Sequence, residues 1–279
     1  MSPAGLRRRA ILALATKDLG VALRTPAVTL PLLIVPAIIY LALPLGLILA
    51  ARFAGGSMAA AELAELERFL SALPDAIQLQ LTGLEPAARM VVLVLGYLLA
   101  PMFLVVPMMV ASVLAADAFA GEKERGTLEA LLHAPVSERV LFGGKLLAAW
   151  IPAVAVGAVG TGAYAIVATW AAWPLVGGPF LPAAVWIPLA LWVGPAVALA
   201  GLATTVLVSA RVRTFQEAYQ LGGVVVVPVV GLVLAQATGV LVLDARLLLL
   251  IGAIVWALDG ALLAIGLRGF SRDGLARHL

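Results

Sequence analysis

Residues 117–145 read DAFAGEKERGTLEALLHAPVSERVLFGGK, the longest charged stretch between two long apolar runs. The flanking runs, 90–116 and 146–170, carry almost nothing but hydrocarbon side chains. Apolar runs of about 20 residues without alternation have the length of helices that cross a bilayer. The charged island between them is therefore expected in water, on one face of a membrane. Within it, Leu128, Leu131 and Leu132 make one stripe of a short helix, and Glu124, Arg125, Glu129 and His133 fall elsewhere around it. Pro135 ends that helix, because the residue before a proline avoids the helical region. Ser137 is a good N-cap for the next helix. The island thus predicts a helix, a break and a new helix, either a lever held between two spans or a solvated connector with ordinary charges.

The rest of the composition agrees. Of 279 residues, 63% are hydrophobic and 12% charged, with mean hydropathy +1.12. Soluble domains carry about 25% charged residues. In lipid only helices and closed barrels satisfy every backbone donor and acceptor, and non-alternating runs select helices. The expected fold is all-α, a polytopic membrane protein with six transmembrane helices. No cysteine is present, which excludes disulfides, thiol catalysis and Cys-ligated metals. The sequence pI near 9.6 fits anchoring charges at a membrane surface better than a nucleic-acid site.

Residues 6–25 are too broken by charge for a signal peptide, since Lys17 and Asp18 interrupt the apolar run. Ile11, Leu12, Ala15, Leu19, Ala22 and Leu23 share one helical face, and Arg9, Thr16, Lys17 and Arg24 another. That pattern predicts an interfacial elbow helix, with a solvent-facing capping helix as the alternative. Six spans follow at about 27–50, 90–116, 146–170, 183–210, 219–239 and 247–267. Several contain prolines, which membrane helices tolerate when neighbours satisfy the freed carbonyls. Residues 51–89 form a loop with an expected amphipathic or merely connecting helix over 58–73. Gly157, Gly160 and Gly162 in span 3 are a close-packing signal. Gly177, Gly178 and Pro179 mark a turn, and Asp244 and Arg246 another. No soluble segment exceeds about 40 residues, too few for an independent core, so one domain over 1–279 is expected.

Lys and Arg set the orientation. With both termini on one side, that side holds 14 of the 18 Lys and Arg, the island included. Both termini and the island are therefore expected to be cytoplasmic. Trp170, Trp173 and Trp186 then lie at the outer ends of spans 3 and 4, as an aromatic belt would.

Chemistry-bearing constellations are few. Gly144-Lys145 is not a P-loop, because Leu146 follows and the upstream glycine is absent. His133 and His278 lack second ligands at metal spacing. Asp259 is the one ionisable residue well inside a predicted span, which makes it a functional candidate. The alternative is that it pairs with Arg211 or Arg213 near the cytoplasmic third. A catalytic role is not expected, and no cofactor is expected on this chain.

The run from Gly121 to Ser137, ending in Gly144-Lys145, resembles the ATP-binding-cassette type-2 permease family. The shared residues are Glu124, Arg125, Gly126, Thr127, Leu128, Glu129, Leu131, Leu132, Pro135, Val136, Ser137, Gly144 and Lys145. Lys17-Asp18-Leu19 with Arg24-Thr25-Pro26 is similar to the family's elbow, and Arg213 with Glu217-Ala218 to its second cytoplasmic loop. Phe270, Arg272 and Asp273 resemble its terminal signature. The resemblance implies the permease subunit of an ATP-driven exporter in the cytoplasmic (inner) membrane. ATP and Mg would be bound by separate ATPase subunits, and two permease chains, alike or related, would form the pathway. It implies an ATPase-coupling surface of Glu122, Glu124, Arg125, Thr127, Leu128, Glu129, Leu132, Arg213 and Glu217. The alternative function is a membrane anchor or assembly factor that only scaffolds a cytoplasmic partner.

Overall fold

The computed structural model describes residues 16–17, 20–22, 24–53, 70, 75–126, 138–238, 241 and 243–269. The expected helix over 58–73 (but for residue 70), the island's short helix with Leu128, Leu131 and Leu132, and most of the elbow lie outside them. Among the described residues there is no strand, and six helices are long and apolar enough to cross a membrane. They are span 1 (Pro26–Phe53), span 2 (Pro86–Glu124), span 3 (Glu138–Val176), span 4 (Ala184–Ser209), span 5 (Phe215–Ala237) and span 6 (Ala245–Gly269). The expected number and order of spans hold, and two lengths change. Spans 2 and 3 each run well beyond the roughly 20 residues a bilayer needs, so their helices continue into the island from both sides. The expectation that all of 117–145 sits in water is corrected here. Residues 117–122 are buried helix, and Lys145 is wholly inaccessible.

Spans 2 and 4 occupy the centre. In their most apolar windows 67% and 56% of residues are buried, against 17–22% in the other four spans. Val105–Ala116 of span 2 packs along Gly194–Ser209 of span 4, and span 6 lies on the other side of span 4. The outer four spans turn large apolar side chains outward, among them Leu33, Ile166, Leu234 and Leu258. A soluble protein rarely exposes such a continuous apolar belt; in a bilayer these faces meet acyl chains. Trp170 and Trp173 are exposed as a belt requires, but Trp186 is only 6% exposed. Its indole is needed inside, for a reason that lies in span 2.

Span 2 is not one regular helix. An α-helical turn region, Pro86–Leu93, gives way to a π-turn at Val94–Leu98, then to a 3₁₀ segment at Ala100–Leu104, before the α-helix resumes at Val105. Proline is the cause. A proline has no N–H for the carbonyl four residues back, and its ring pushes that carbonyl away. Pro101 therefore removes the α-helical donor of the Tyr97 carbonyl, which keeps a tighter backbone bond with room for a second donor, and Pro107 releases the carbonyl of Phe103. Upstream, the Leu99 N–H reaches back to Val94, 2.9 Å away, rather than to Leu95. In a membrane interior such orphans need partners. The neighbouring spans supply them. Gln236 Nε2 of span 5 donates to the Tyr97 carbonyl at 2.8 Å. The Tyr164 hydroxyl of span 3 donates to that of Leu95 at 2.6 Å. Trp186 Nε1 of span 4 donates to that of Gly96 at 2.9 Å. The Tyr40 hydroxyl of span 1 stands 3.5 Å from that of Phe103. The rings of these donors pack around Phe103, with Tyr164 and Trp186 stacked on each other at 4.9 Å.

Spans 1 and 4 absorb their prolines by the same widening. Each has a π-turn, at Ile38–Ala42 and Leu189–Val193. In both, the residue before the proline (Leu43, Gly194) donates five residues back rather than four. π-turns of this kind are local responses of a helix to a disrupted ladder. The glycine signal in span 3 divides. A Cβ on Gly160 would stand 2.1 Å from the Tyr40 ring and one on Gly157 3.0 Å from Pro107, whereas Gly162 faces open space. The turn at Gly177 has φ +77°, a backbone that glycine favours. Asp244 caps span 6 by accepting from the Leu247 N–H at 2.8 Å.

Two outcomes follow. Tyr164→Phe leaves a buried carbonyl without its donor and lowers the stability of the purified chain by about 1–3 kcal/mol, read as a drop in its thermal midpoint. Gly160→Ala forces span 1 away from span 3 and lowers that midpoint, while Gly162→Ala leaves it unchanged; equal effects would refute the assignment of Gly160 to the contact.

Candidate functional site at the charged end

At the charged end, the last turns of span 2 widen again into a π-turn at Asp117–Gly121, followed by one α-turn at Glu122–Glu124. The widened turn leaves carbonyls without regular helical partners, and a side chain of span 3 takes one. The Lys145 ammonium, with no solvent access at all, donates to the Ala118 carbonyl and to the Glu122 carboxylate. It also lies 5.3 Å from the centre of the Phe119 ring. Glu122 is itself buried, and its second oxygen meets Lys17 at 3.2 Å. One carboxylate thus joins three segments: the start of the chain, the end of span 2 and the start of span 3. A buried charge is tolerable only when paired and hydrogen-bonded, and here both conditions are met.

Asp117 is bound within its own helix. Arg125 spans the π-turn, donating from Nη1 to the Asp117 carboxylate at 2.8 Å and from Nη2 to its carbonyl at 3.4 Å. This clip fixes Arg125 over Gly121, where a Cβ would come within 2.9 Å of the Asp117 carboxylate.

The next two charges reach sideways to the loop between spans 4 and 5. Lys123 donates to the Val212 carbonyl at 3.2 Å. Glu124 accepts from the Phe215 N–H at 2.9 Å. Phe215 opens the helix of span 5, whose N-cap is Thr214. Thr214 Oγ1 accepts from the Glu217 N–H at 3.2 Å, and the Glu217 carboxylate accepts from the Arg213 N–H at 3.1 Å. This is a capping box one residue wider than usual on its return bond. Two carboxylates therefore sit at the N-terminus of span 5, where the helix dipole favours negative charge. Beneath them Ala116 and Ala120 of span 2 pack on Ala218, flanked by Val212, Phe215 and Tyr219.

The structure thus brings Glu124, Arg213 and Glu217 together in one cap, with Arg125 exposed beside them. Glu122 lies underneath, facing Lys17 and Lys145. Thr127, Leu128, Glu129 and Leu132 lie outside the described residues. Asp259 stands apart, within span 6; among the described residues neither of its oxygens has a hydrogen-bond partner, so pairing with Arg211 or Arg213 is not what the structure contains. Sequence reasoning did not assign the roles of Asp117, Lys17, Lys145 and Thr214. The Thr-x-x-Glu pattern at 214–217 signals a cap in the sequence. The Lys145 pairing has no such signal, because its partners are distant in the chain.

Lys145→Met strands the Glu122 carboxylate with a single half-exposed partner and destabilises the purified chain by about 3–5 kcal/mol. Adding Glu122→Gln to it restores most of the thermal midpoint. A single variant with wild-type stability would show that the pair does not hold spans 2 and 3 together.

Comparison with known proteins identifies the family. No curated protein and no solved structure matches the chain. The pattern of the ABC-2 family transporter proteins matches residues 12–259, which takes in spans 1–5, the charged end and most of span 6. The chain therefore belongs to the ABC-2 family, the permease family of ATP-binding-cassette transporters, and is a multi-pass membrane subunit of that class.

Proposed function

We propose that this chain is the permease subunit of an ATP-driven exporter, moved by a separate ATP-binding-cassette ATPase that binds ATP and Mg. The observation that supports this reading most is the Glu122–Lys145 pair, which ties the end of span 2 to the start of span 3 across the charged loop. A loop whose two roots are locked together transmits a push to both spans at once. Residues 127–137, with Thr127, Leu128, Glu129 and Leu132, are the segment that enters the ATPase. Glu124, Arg125, Arg213 and Glu217 form the surface beside it, and Glu122 anchors that surface from beneath.

In this mechanism, closure of the nucleotide-loaded ATPase pair displaces the loop, and spans 2 and 3 follow as a unit. Glu124 and Lys123 carry the displacement to the start of span 5 through their bonds to Phe215 and Val212. A partner protomer, identical or related, forms the other wall of the path. The charge distribution favours placing both termini and the loop on the cytoplasmic side of the inner membrane.

Arg125→Glu abolishes co-purification with the co-expressed ATPase, while membrane insertion persists. Asp117→Asn removes the ion pair from the same internal clip without altering the exposed charge, and it retains the ATPase. Co-purification surviving Arg125→Glu, or lost equally in Asp117→Asn, refutes the docking role of Arg125.

A further inference from the structure

Span 6 contains a polar pair that the coupling scheme does not use. Asp259 has no solvent access, and both its carboxylate oxygens lack a hydrogen-bond partner among the described residues. One helical turn back, the Trp256 Nε1–H is likewise buried without an acceptor. Residues three apart on a helix share a face, so a missing donor and a missing acceptor occupy one buried stripe. Gly252 and Gly266 lie on the same stripe, the first against Trp192 of span 4 and the second against Leu207 of span 4 and Phe142 of span 3, so the stripe faces the seam with span 4. Trp256 sits between Trp192 of span 4 and Trp150 of span 3, with ring centres at 6.0 and 6.3 Å.

Among the described residues no ion pair or hydrogen bond reaches the carboxyl. Span 4 from Gly194 to Ser209 has no acidic or basic side chain, and span 3 beyond Lys145 has none up to Val176. Lys145 is engaged by Glu122 and Ala118. On span 6 itself the nearest charges in sequence are Arg246 and Arg268, near its two ends. A metal ion would need several oxygen ligands, and the described residues hold no group of three or more metal-ligating side chains. An ionised carboxylate placed in this way bears the full cost of burial. The neutral acid does not: its hydroxyl can turn to the backbone carbonyl one turn back, as short polar side chains do in helices.

We propose that Asp259 is a proton-binding site in the seam between spans 4 and 6, holding its proton while the seam is closed and exchanging it with water only when the seam parts. Each protomer then carries one exchangeable proton in its membrane interior. The carboxyl returns to the charged form only in a conformation that the present one excludes. This inference stands on the packing around span 6 and does not depend on the ATPase coupling proposed above.

The test is infrared spectroscopy of the full chain in lipid nanodiscs at neutral pH. The expected result is a protonated-carboxyl band that Asp259→Asn lacks. Labelling the aspartate carboxyls with carbon-13 shifts this band in the wild-type chain, which assigns it without any substitution. On transfer to deuterated buffer the band shifts slowly, long after the exposed groups have exchanged. Absence of a carbon-13-sensitive acid band overturns the proposal. A band that shifts at once on transfer overturns the closed seam.

Discussion

Membrane interiors leave no backbone carbonyl to water, and span 2 breaks that requirement at its own centre. Pro101 and Pro107 remove the α-helical donors of the Tyr97 and Phe103 carbonyls, and the π-turn before them frees that of Leu95. The bundle is arranged to answer. Tyr40, Tyr164, Trp186 and Gln236 come from spans 1, 3, 4 and 5, and each directs a polar atom toward span 2. In hydrocarbon each bond has no competing solvent, so losing one strands a buried carbonyl. The four donors specify how the spans turn about the central helix in a way that apolar packing alone would not. The cluster of their rings around Phe103 follows from the same convergence.

At the other end of span 2 the same device recurs with charge added. The π-turn at Asp117–Gly121 exposes the Ala118 carbonyl, and Lys145 fills it while neutralising Glu122. Irregular helix and buried charge are each costly alone. Together they become a specific joint, because one ammonium satisfies both. The joint sits where the charged loop is rooted. It gives the family assignment a physical content: the end of span 2, the start of span 3 and the cap of span 5 form one connected body at the surface facing the loop.

The two ends of span 2 differ in what holds them. The central break is closed by neutral donors on aromatic and amide side chains, within the apolar belt. The charged end is closed by ion pairs that reach the bilayer boundary, with Lys17 half exposed and Lys145 fully buried. Desolvation explains the division. A neutral donor costs little to bury, whereas an ammonium needs a carboxylate within reach, and carboxylates are admitted only near the membrane surface. Asp259 is the exception to that rule, and its isolation is what singles it out.

Hydrophobic run length alone determined the number and order of the spans, because a bilayer demands about 20 apolar residues per crossing and little else supplies them. The charged motif at 121–137 with Gly144-Lys145 pointed to the family for a comparable reason, as its residues keep their order and spacing along the chain. The Thr214–Glu217 cap and the Asp244 cap are local, so they too could be read directly. Tertiary structure decided the rest. Trp186 is a belt residue by sequence position and an internal donor in space. Lys145 is a surface charge by pattern and a buried bridge in fact. Glu122 turns from the expected docking face toward two lysines. Each depends on which helix stands opposite, and that is set by contacts between residues tens of positions apart, about which hydropathy along a single chain carries no information.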